Sequence, residues 1–198
     1  MLRYLCKIVL RIIGWKAVGI FPPSLKKAVV AVAPHTSSRD VIICLIFRKA
    51  LHLERFKFLG KKELFTPPFG FIFRWLGGVP VDRVQNTHLV DDVVNLYNKN
   101  PEFIIALSPE GTRKKVDRLR TGFYYIAKKA AVPIVMLGLD FENKQLIFSD
   151  AFYTGNNEQE DFERIIQFFA PINGRYPERG IGHLLQEGHS PILAARNK

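Results

Sequence analysis

Cysteine is scarce in this sequence of 198 residues, which has only Cys6 and Cys44 and no CxxC spacing. This excludes a disulfide-rich scaffold and a cysteine-based metal knuckle, and it indicates a reducing compartment. Long uncharged apolar runs are also missing, because the N-terminal stretch MLRYLCKIVLRIIGWKAVG has a basic residue every four or five positions. We therefore expect neither a membrane-spanning helix nor a secretory signal.

Acidic residues are rare in the first 80 residues, which hold 3 Asp or Glu against 14 Lys or Arg. Residues 81–198 hold 15 of each sign, so the net charge of +11 lies entirely in the N-terminal part. Such a one-sided charge predicts an anionic partner, either a membrane surface or a nucleic acid. The basic residues lie on amphipathic, aromatic segments and form no recognisable nucleic-acid module, so we expect a membrane and no nucleic acid.

Residues 1–24 are predicted to form an amphipathic helix followed by a linker that contains FPPS. The apolar residues recur at helical spacing, the basic residues share the opposite stripe, and Tyr4 and Trp15 suit a headgroup boundary. This pattern favours a helix that lies in the membrane interface. The alternative is a helix packed on its own domain with a hydrated basic face. The aromatic residues within 65–75 are compatible with an acyl-chain site, a membrane surface or plain core.

Residues 25–198 are predicted to form one domain, because the chain is 47% apolar and has no low-complexity linker. Apolar runs that alternate with amphipathic segments predict an α/β fold with a mostly parallel, mixed central sheet flanked by helices. We expect strands at 27–34, 55–60, 79–82, 102–107, 132–141 and 144–150, the last antiparallel, and helices at 38–53, 66–78, 87–100, 121–131 and 157–171.

Three polar segments follow or surround predicted strands: APHTSSRD (33–40), GGVPVDR (77–83) and SPEGTR (108–113). Taken singly, each is explained equally well as a polar turn. In an open α/β sheet, however, the carboxyl ends of the strands form the ligand crevice. The three segments therefore predict one shared site.

Four blocks in order resemble the glycerolipid acyltransferases related to 1-acylglycerol-3-phosphate acyltransferase. HTSSRD fits the family's H-x4-D motif, KKELFTPPFGFIFRWLGGVPVDR is similar to its second block, and SPEGTR matches its E-G-(T/S)-R block. RLRTGFYYIAKKAAVPIV is similar to the basic, glycine and helix segment that follows. Within the first block, Ser38 and Arg39 replace the polar-aromatic pair of the nearest bacterial subgroup.

The resemblance implies an enzyme that moves a fatty acyl group from acyl-carrier protein or coenzyme A onto a lysophospholipid hydroxyl. The expected acceptor is 1-acylglycerol-3-phosphate, and the expected product is phosphatidic acid. The protein would lie peripherally on the cytoplasmic face of the inner membrane. The same chemistry on a lyso-aminolipid acceptor is one alternative. A non-catalytic membrane-lipid-binding protein is another, but it gives no reason for a paired His35 and Asp40.

His35 and Asp40 are the candidate catalytic residues. Acyl transfer needs a base for the acceptor hydroxyl and donors for the developing oxyanion. Histidine is the side chain that exchanges a proton near pH 7, and a carboxylate can orient its ring and stabilise the imidazolium. The substrate supplies the nucleophilic hydroxyl, so no nucleophilic serine or cysteine, no metal and no cofactor beyond the thioester co-substrate is expected.

The candidate substrate-binding residues are Arg83, Glu110, Gly111, Thr112 and Arg113. The two arginines can hold a phosphate in bidentate fashion. The turn at 110–112 can offer backbone N–H groups, with Gly111 allowing close approach of a ligand. Glu110 would either bind acceptor hydroxyls or hold an arginine.

Overall fold

A single central sheet organises the computed structural model, which describes residues 1–81 and 89–185. The described strands lie in the order β1-β7-β6-β2-β5-β3-β4, and every neighbouring pair is parallel except β6 and β7. The strands are β1 (Lys16–Val18), β2 (Lys27–Ala33), β3 (Phe56–Lys61), β4 (Gly78–Val81), β5 (Phe103–Leu107), β6 (Ile134–Asp140) and β7 (Gln145–Phe148). The predicted α/β fold, with its mostly parallel mixed sheet, is confirmed.

Helices cover both faces of this sheet. They are α1 (Leu2–Ile12), α2 (Arg39–Ala50), α3 (Gly70–Trp75), α4 (Leu89–Lys99), α5 (Gly122–Ala130) and α6 (Glu158–Phe169), with short 3-10 helices at 62–65, 177–179 and 182–185. The connections through α2 and α3 run toward the β4 edge, and those through α4 and α5 run back. Since such crossovers are right-handed, α2 and α3 lie on one face, and α4 and α5 lie on the other.

The central strands are continuous apolar runs because both of their faces are covered. In β2, Val29 and Ala31 enter the core cluster that contains Phe123 of α5 and Phe162 of α6. Val30 enters the opposite cluster, which contains residues of α1 and α2. This alternation places β2 in the middle of the molecule and leaves its carboxyl end for the polar turn that follows.

The first strand is a difference from the sequence-based expectation. Residues 16–18 were expected to belong to the N-terminal helix and linker, but they form β1 at the sheet edge, parallel to β7. All three side chains are exposed, so this strand has no apolar pattern that sequence reading can detect. Its ladder is extended by a bond from Lys16 N to Lys144 O, 3.0 Å long.

Helix α1 turns its apolar stripe away from the core. Leu2, Leu5, Ile8 and Ile12 are 51%, 55%, 55% and 78% exposed, whereas Leu10 is buried. The helix contacts α2 through its other side, where Arg3 Nε donates to Ala50 O. The expected amphipathic helix is therefore present, and these four exposed apolar residues are not used for packing on its own domain, whereas Ile13 at its end packs against the core. Among the described residues, no helix has the length and apolar character to cross a membrane.

Candidate active site

Three turns meet side by side at the carboxyl edge of the sheet. Strand β2 lies between β5 and β6, with Ala31 opposite Leu107 and Ala33 opposite Gly138. The turn that contains His35 is therefore flanked by the 108–113 turn on one side and the 141–144 turn on the other. Arg83, the candidate from the second block, lies outside the described residues.

The structure brings His35 and Asp40 into direct contact. His35 Nδ1 lies 3.0 Å from Asp40 Oδ2. Asp40 is in the first turn of α2 and is 1% exposed, while the His35 side chain remains 26% exposed. Ser37 N also donates to Asp40 Oδ2, at 2.8 Å, which fixes the carboxylate. The five-residue spacing works because His35 precedes the helix and Asp40 points back from its first turn.

The orientation of this pair leaves Nε2 of His35 as the proton acceptor. A carboxylate can only accept, so the hydrogen bond assigns the proton of the neutral imidazole to Nδ1. In the part of the chain that the structure describes, no protein group is bonded to Nε2. The lone pair on Nε2 can then take a proton from a hydroxyl brought to this edge.

The hydroxyl residues Thr36 and Ser37, between His35 and Asp40, stabilise the turn through hydrogen bonds. Thr36 is buried, and its Oγ1 accepts from Tyr176 N at 3.2 Å. Ser37 Oγ accepts from Arg39 N at 3.2 Å, a local bond that fixes the backbone where α2 begins. These contacts favour structural roles for both residues, in agreement with a mechanism whose nucleophile comes from the substrate.

Glu110 lies beneath the histidine turn and is 1% exposed. Its Oε2 accepts from His35 N at 2.6 Å and from Ser108 Oγ at 3.2 Å. Burial raises the pKa of Glu110 to about 7, although these two hydrogen bonds act in the opposite direction. This geometry favours a positioning role for Glu110, because its carboxylate joins the turns after β2 and β5.

Gly111 accommodates an arginine of the protein itself. Its φ is +63°, and a Cβ placed there would lie 2.4 Å from Cδ and Nε of Arg120. Arg120 N donates to Pro109 O at 2.7 Å, which brings residues 109 and 120 together. Arg113 is exposed, and Thr112 Oγ1 accepts from Lys114 N at 3.3 Å. The interpretation that Gly111 admits a ligand is thus modified, since Arg120 occupies that space.

Arg120 is a candidate functional residue that sequence reasoning missed. Its side chain packs on Gly111, in the turn that contains Glu110, and it is an exposed guanidinium like that of Arg113. In the sequence, the signal that could have indicated Arg120 is the pair of arginines in RLRTG, which leads into α5. This segment is part of the fourth block that resembles the acyltransferase family. Nothing in the spacing showed that this arginine folds back over Gly111.

Replacing Glu110 by glutamine is expected to make the free energy of unfolding less dependent on pH. The folded-state pKa of about 7 lies above the ordinary 4.5, so the folded protein binds this proton more tightly than the unfolded chain. The free energy of unfolding of the wild type therefore falls as the pH rises from about 4.5 to about 7, and Glu110 accounts for at most about 3 kcal/mol of this fall. Urea unfolding at pH 4.5 and pH 8 measures the change. An equal pH dependence in wild type and variant would contradict the expectation, and Glu178→Gln at an exposed site is the control.

The parallel-rich α/β sheet and a histidine–carboxylate pair at its carboxyl edge define a class of enzyme that can activate a hydroxyl group. The Acyltransferase family model matches residues 17–139, more than half of the sequence, and the chain belongs to this family. The acyltransferase prediction is therefore confirmed at the level of the family.

The fold is similar to a solved structure, the 1-acyl-sn-glycerophosphate (LPA) acyltransferase PlsC from Thermotoga maritima. The TM-score is 0.57 at 17% sequence identity, and the match covers 84% of this chain and 74% of that chain. At this identity the likeness establishes the shared fold. A comparison with curated proteins finds no match.

Proposed function

We propose that this acyltransferase moves a fatty acyl group from acyl-carrier protein or coenzyme A to the hydroxyl of a lysophospholipid. The proposed acceptor is 1-acylglycerol-3-phosphate, and the proposed product is phosphatidic acid. The observation that carries the proposal is the 3.0 Å contact between His35 Nδ1 and Asp40 Oδ2, in which the His35 side chain remains 26% exposed and Asp40 is buried.

The reaction can be followed on the His35 side chain. Nε2 takes the proton of the acceptor hydroxyl while the hydroxyl oxygen attacks the thioester carbonyl carbon. Asp40 stabilises the imidazolium that forms. As the carbon–sulfur bond breaks, the thiolate leaves, and the imidazolium returns the proton to sulfur. The products are the acylated lipid and the free thiol, and neutral His35 is restored.

The phosphate of the acceptor is assigned to the basic turn after β5. Arg113 and Arg120 are exposed on the segment that is joined to His35 through Glu110. Guanidinium groups can bind a phosphate through two parallel hydrogen bonds. Arg83 stays a candidate for the same role on the basis of its sequence block.

Substituting Arg113 by alanine is expected to raise KM for lysophosphatidic acid by about tenfold, because one charge-assisted contact is removed. A lyso-aminolipid acceptor has no such phosphate to hold, so its KM should not change. Initial rates with both acceptors, measured at one saturating thioester concentration, give the comparison. Lys99→Ala, an exposed cation on α4, is the control. Unchanged KM values for lysophosphatidic acid would remove Arg113 from this role and favour another acceptor.

We further propose that the enzyme docks peripherally on the cytoplasmic surface of the inner membrane. Apart from Tyr153, Tyr176 and Leu185, the exposed large apolar residues of the described chain all lie within its first 75 residues. They include the stripe on α1 and Phe69, Phe71 and Trp75 at α3, which are 64%, 68% and 75% exposed. The basic excess lies in the same part of the chain, as binding to anionic lipid requires.

The double substitution Leu5→Ser and Ile8→Ser is expected to weaken binding to phosphatidylglycerol vesicles at least about tenfold. Each exposed apolar side chain contributes on the order of 1.5–3 kcal/mol when it enters an apolar phase. Co-sedimentation with vesicles measures the effect. Tyr153→Ser removes a still more exposed apolar residue elsewhere and should leave binding unchanged. Equal binding by the double variant and the wild type would rule out α1 as the docking element.

A further inference from the structure

A pocket of about 430 Å³ lies on the other side of the histidine turn from Arg113 and Arg120. Its cationic rim consists of Arg39, the first residue of α2, together with Lys144 and Arg175. Lys144 belongs to the turn after β6, whereas the turn with Arg113 follows β5. Because β2 separates β5 from β6, the pocket and the proposed acceptor-phosphate turn flank His35 on opposite sides.

No carboxylate of the described residues neutralises the three cations of the rim. Within residues 1–81 and 89–185, none of them lies within ion-pair distance of a carboxylate. Lys144 Nζ donates to Ile13 O at 3.1 Å, which leaves its charge uncompensated. Glu142, the acidic residue nearest to Lys144 along the sequence, accepts a hydrogen bond from Asn173. The rim therefore attracts an anion.

The floor of the pocket is apolar. It is formed by Ile13, Trp15, Ile43 and Phe141. Trp15 is 8% exposed and packs edge-on against Phe141, with 5.0 Å between the ring centroids. Ile42 is 58% exposed and makes the mouth of the pocket apolar as well. A small inorganic anion would leave this apolar surface uncovered. An anion that carries an alkyl chain would cover both the cationic rim and the apolar floor.

The pocket adjoins the proposed membrane-docking surface. Ile13 is the C-cap residue of α1 and directly follows Ile12, the most exposed member of the apolar stripe on that helix. A lipid in the docked membrane would reach the mouth of the pocket without crossing the protein. The volume is in the range of ordinary ligand pockets and is large enough for a phosphate and several methylene groups.

We propose that this pocket binds the phosphate headgroup of a membrane lipid, with Arg39, Lys144 and Arg175 around the phosphate and the first part of an acyl chain over Trp15. The occupant is a phosphate-bearing amphiphile, and its site is separate from the one assigned to the acceptor of acyl transfer. Arg39 directly precedes Asp40, and Tyr176 N, next to Arg175, bonds Thr36. An occupied pocket is therefore linked to the histidine turn in two places, directly at Arg39 and through Tyr176 at Thr36.

Binding of soluble decyl phosphate to the full chain tests this proposal without any acyl transfer. The sequence has two tryptophans, so Trp75→Phe leaves Trp15 as a fluorescent reporter at the pocket floor. In this background, decyl phosphate below its micelle concentration is expected to change Trp15 emission saturably. The double substitution Lys144→Gln and Arg175→Gln is expected to raise Kd at least about tenfold. Lys99→Gln with Lys128→Gln removes the same charge from exposed sites on the opposite face and should not change Kd.

Three further probes identify the source of the phosphate. Decyl maltoside has the chain alone, inorganic phosphate has the anion alone, and coenzyme A has phosphates without a lipid chain. Weaker binding of all three than of decyl phosphate supports the lipid site. Tighter binding of coenzyme A than of decyl phosphate would overturn the proposal. Binding of decyl maltoside or inorganic phosphate as tight as that of decyl phosphate would also overturn it, and so would an unchanged Kd in the double variant. The His35→Ala protein should bind decyl phosphate normally, so failure of the proposed catalytic role leaves this test unaffected.

Discussion

Replacing His35 by alanine is expected to lower kcat for acyl transfer by about 10²- to 10⁴-fold, because the acceptor hydroxyl loses its general base. The fold should persist, since the side chain is partly exposed and Asp40 keeps its hydrogen bond from Ser37 N. Steady-state rates with a thioester and a lysophospholipid measure the loss, and circular dichroism checks the fold.

Two variants sharpen this test of His35. His35→Gln keeps an N–H donor for Asp40 but cannot act as a base, so it should be as inactive as alanine. His52→Asn changes an exposed histidine and retains a residue type that tolerates its φ of +58°, so full activity is expected. A folded His35→Ala protein with wild-type kcat would show that another group takes the proton.

Substituting Asp40 by asparagine is expected to lower kcat by about 10²- to 10³-fold, comparable to the loss of a preorganised electrostatic contact. The donor Ser37 N requires an oxygen at the present Oδ2 position, so the amide oxygen should remain there and still orient the imidazole. What disappears is the negative charge that stabilises the imidazolium. The amide nitrogen would take the place of the buried Oδ1, which has no partner among the described residues. The resulting unpaired donor should reduce stability by about 1–3 kcal/mol.

The double variant of His35 and Asp40 separates a catalytic pair from a structural one. If Asp40 acts through His35, the kcat of His35→Ala/Asp40→Asn should equal that of His35→Ala alone, because residues that act as a unit are not additive. Multiplicative losses would mean that Asp40 acts independently of the histidine.

Apart from β1, the order of the elements and the location of the candidate site were predictable from the sequence. The apolar run in β2 marks a strand that is covered on both faces, and the H-x4-D spacing places Asp40 on the first turn of the next helix. The turns after β2 and β5 then had to meet, because the carboxyl ends of parallel strands share one edge. The end of the third predicted segment, with Arg83, lies outside the described residues. These inferences depend only on local pattern and on the geometry of parallel sheets.

Other features depend on contacts between distant segments. The bond between Glu110 and His35 N joins residues 75 positions apart, and the packing of Arg120 on Gly111 requires the loop to fold back. Periodicity shows that α1 is amphipathic but not which stripe meets the protein. The cationic pocket combines residues from four separate segments, and so Arg39 had no evident partner in the sequence.

Mass spectrometry of the lipids formed from a panel of lyso-acceptors and both thioester donors tests the central claim most directly. The wild-type protein is predicted to convert lysophosphatidic acid to phosphatidic acid with at least one donor, and the His35→Ala protein is predicted to form almost none. Absence of any acylated product from folded wild-type protein, or equal phosphatidic acid from the wild type and the variant, would contradict this claim.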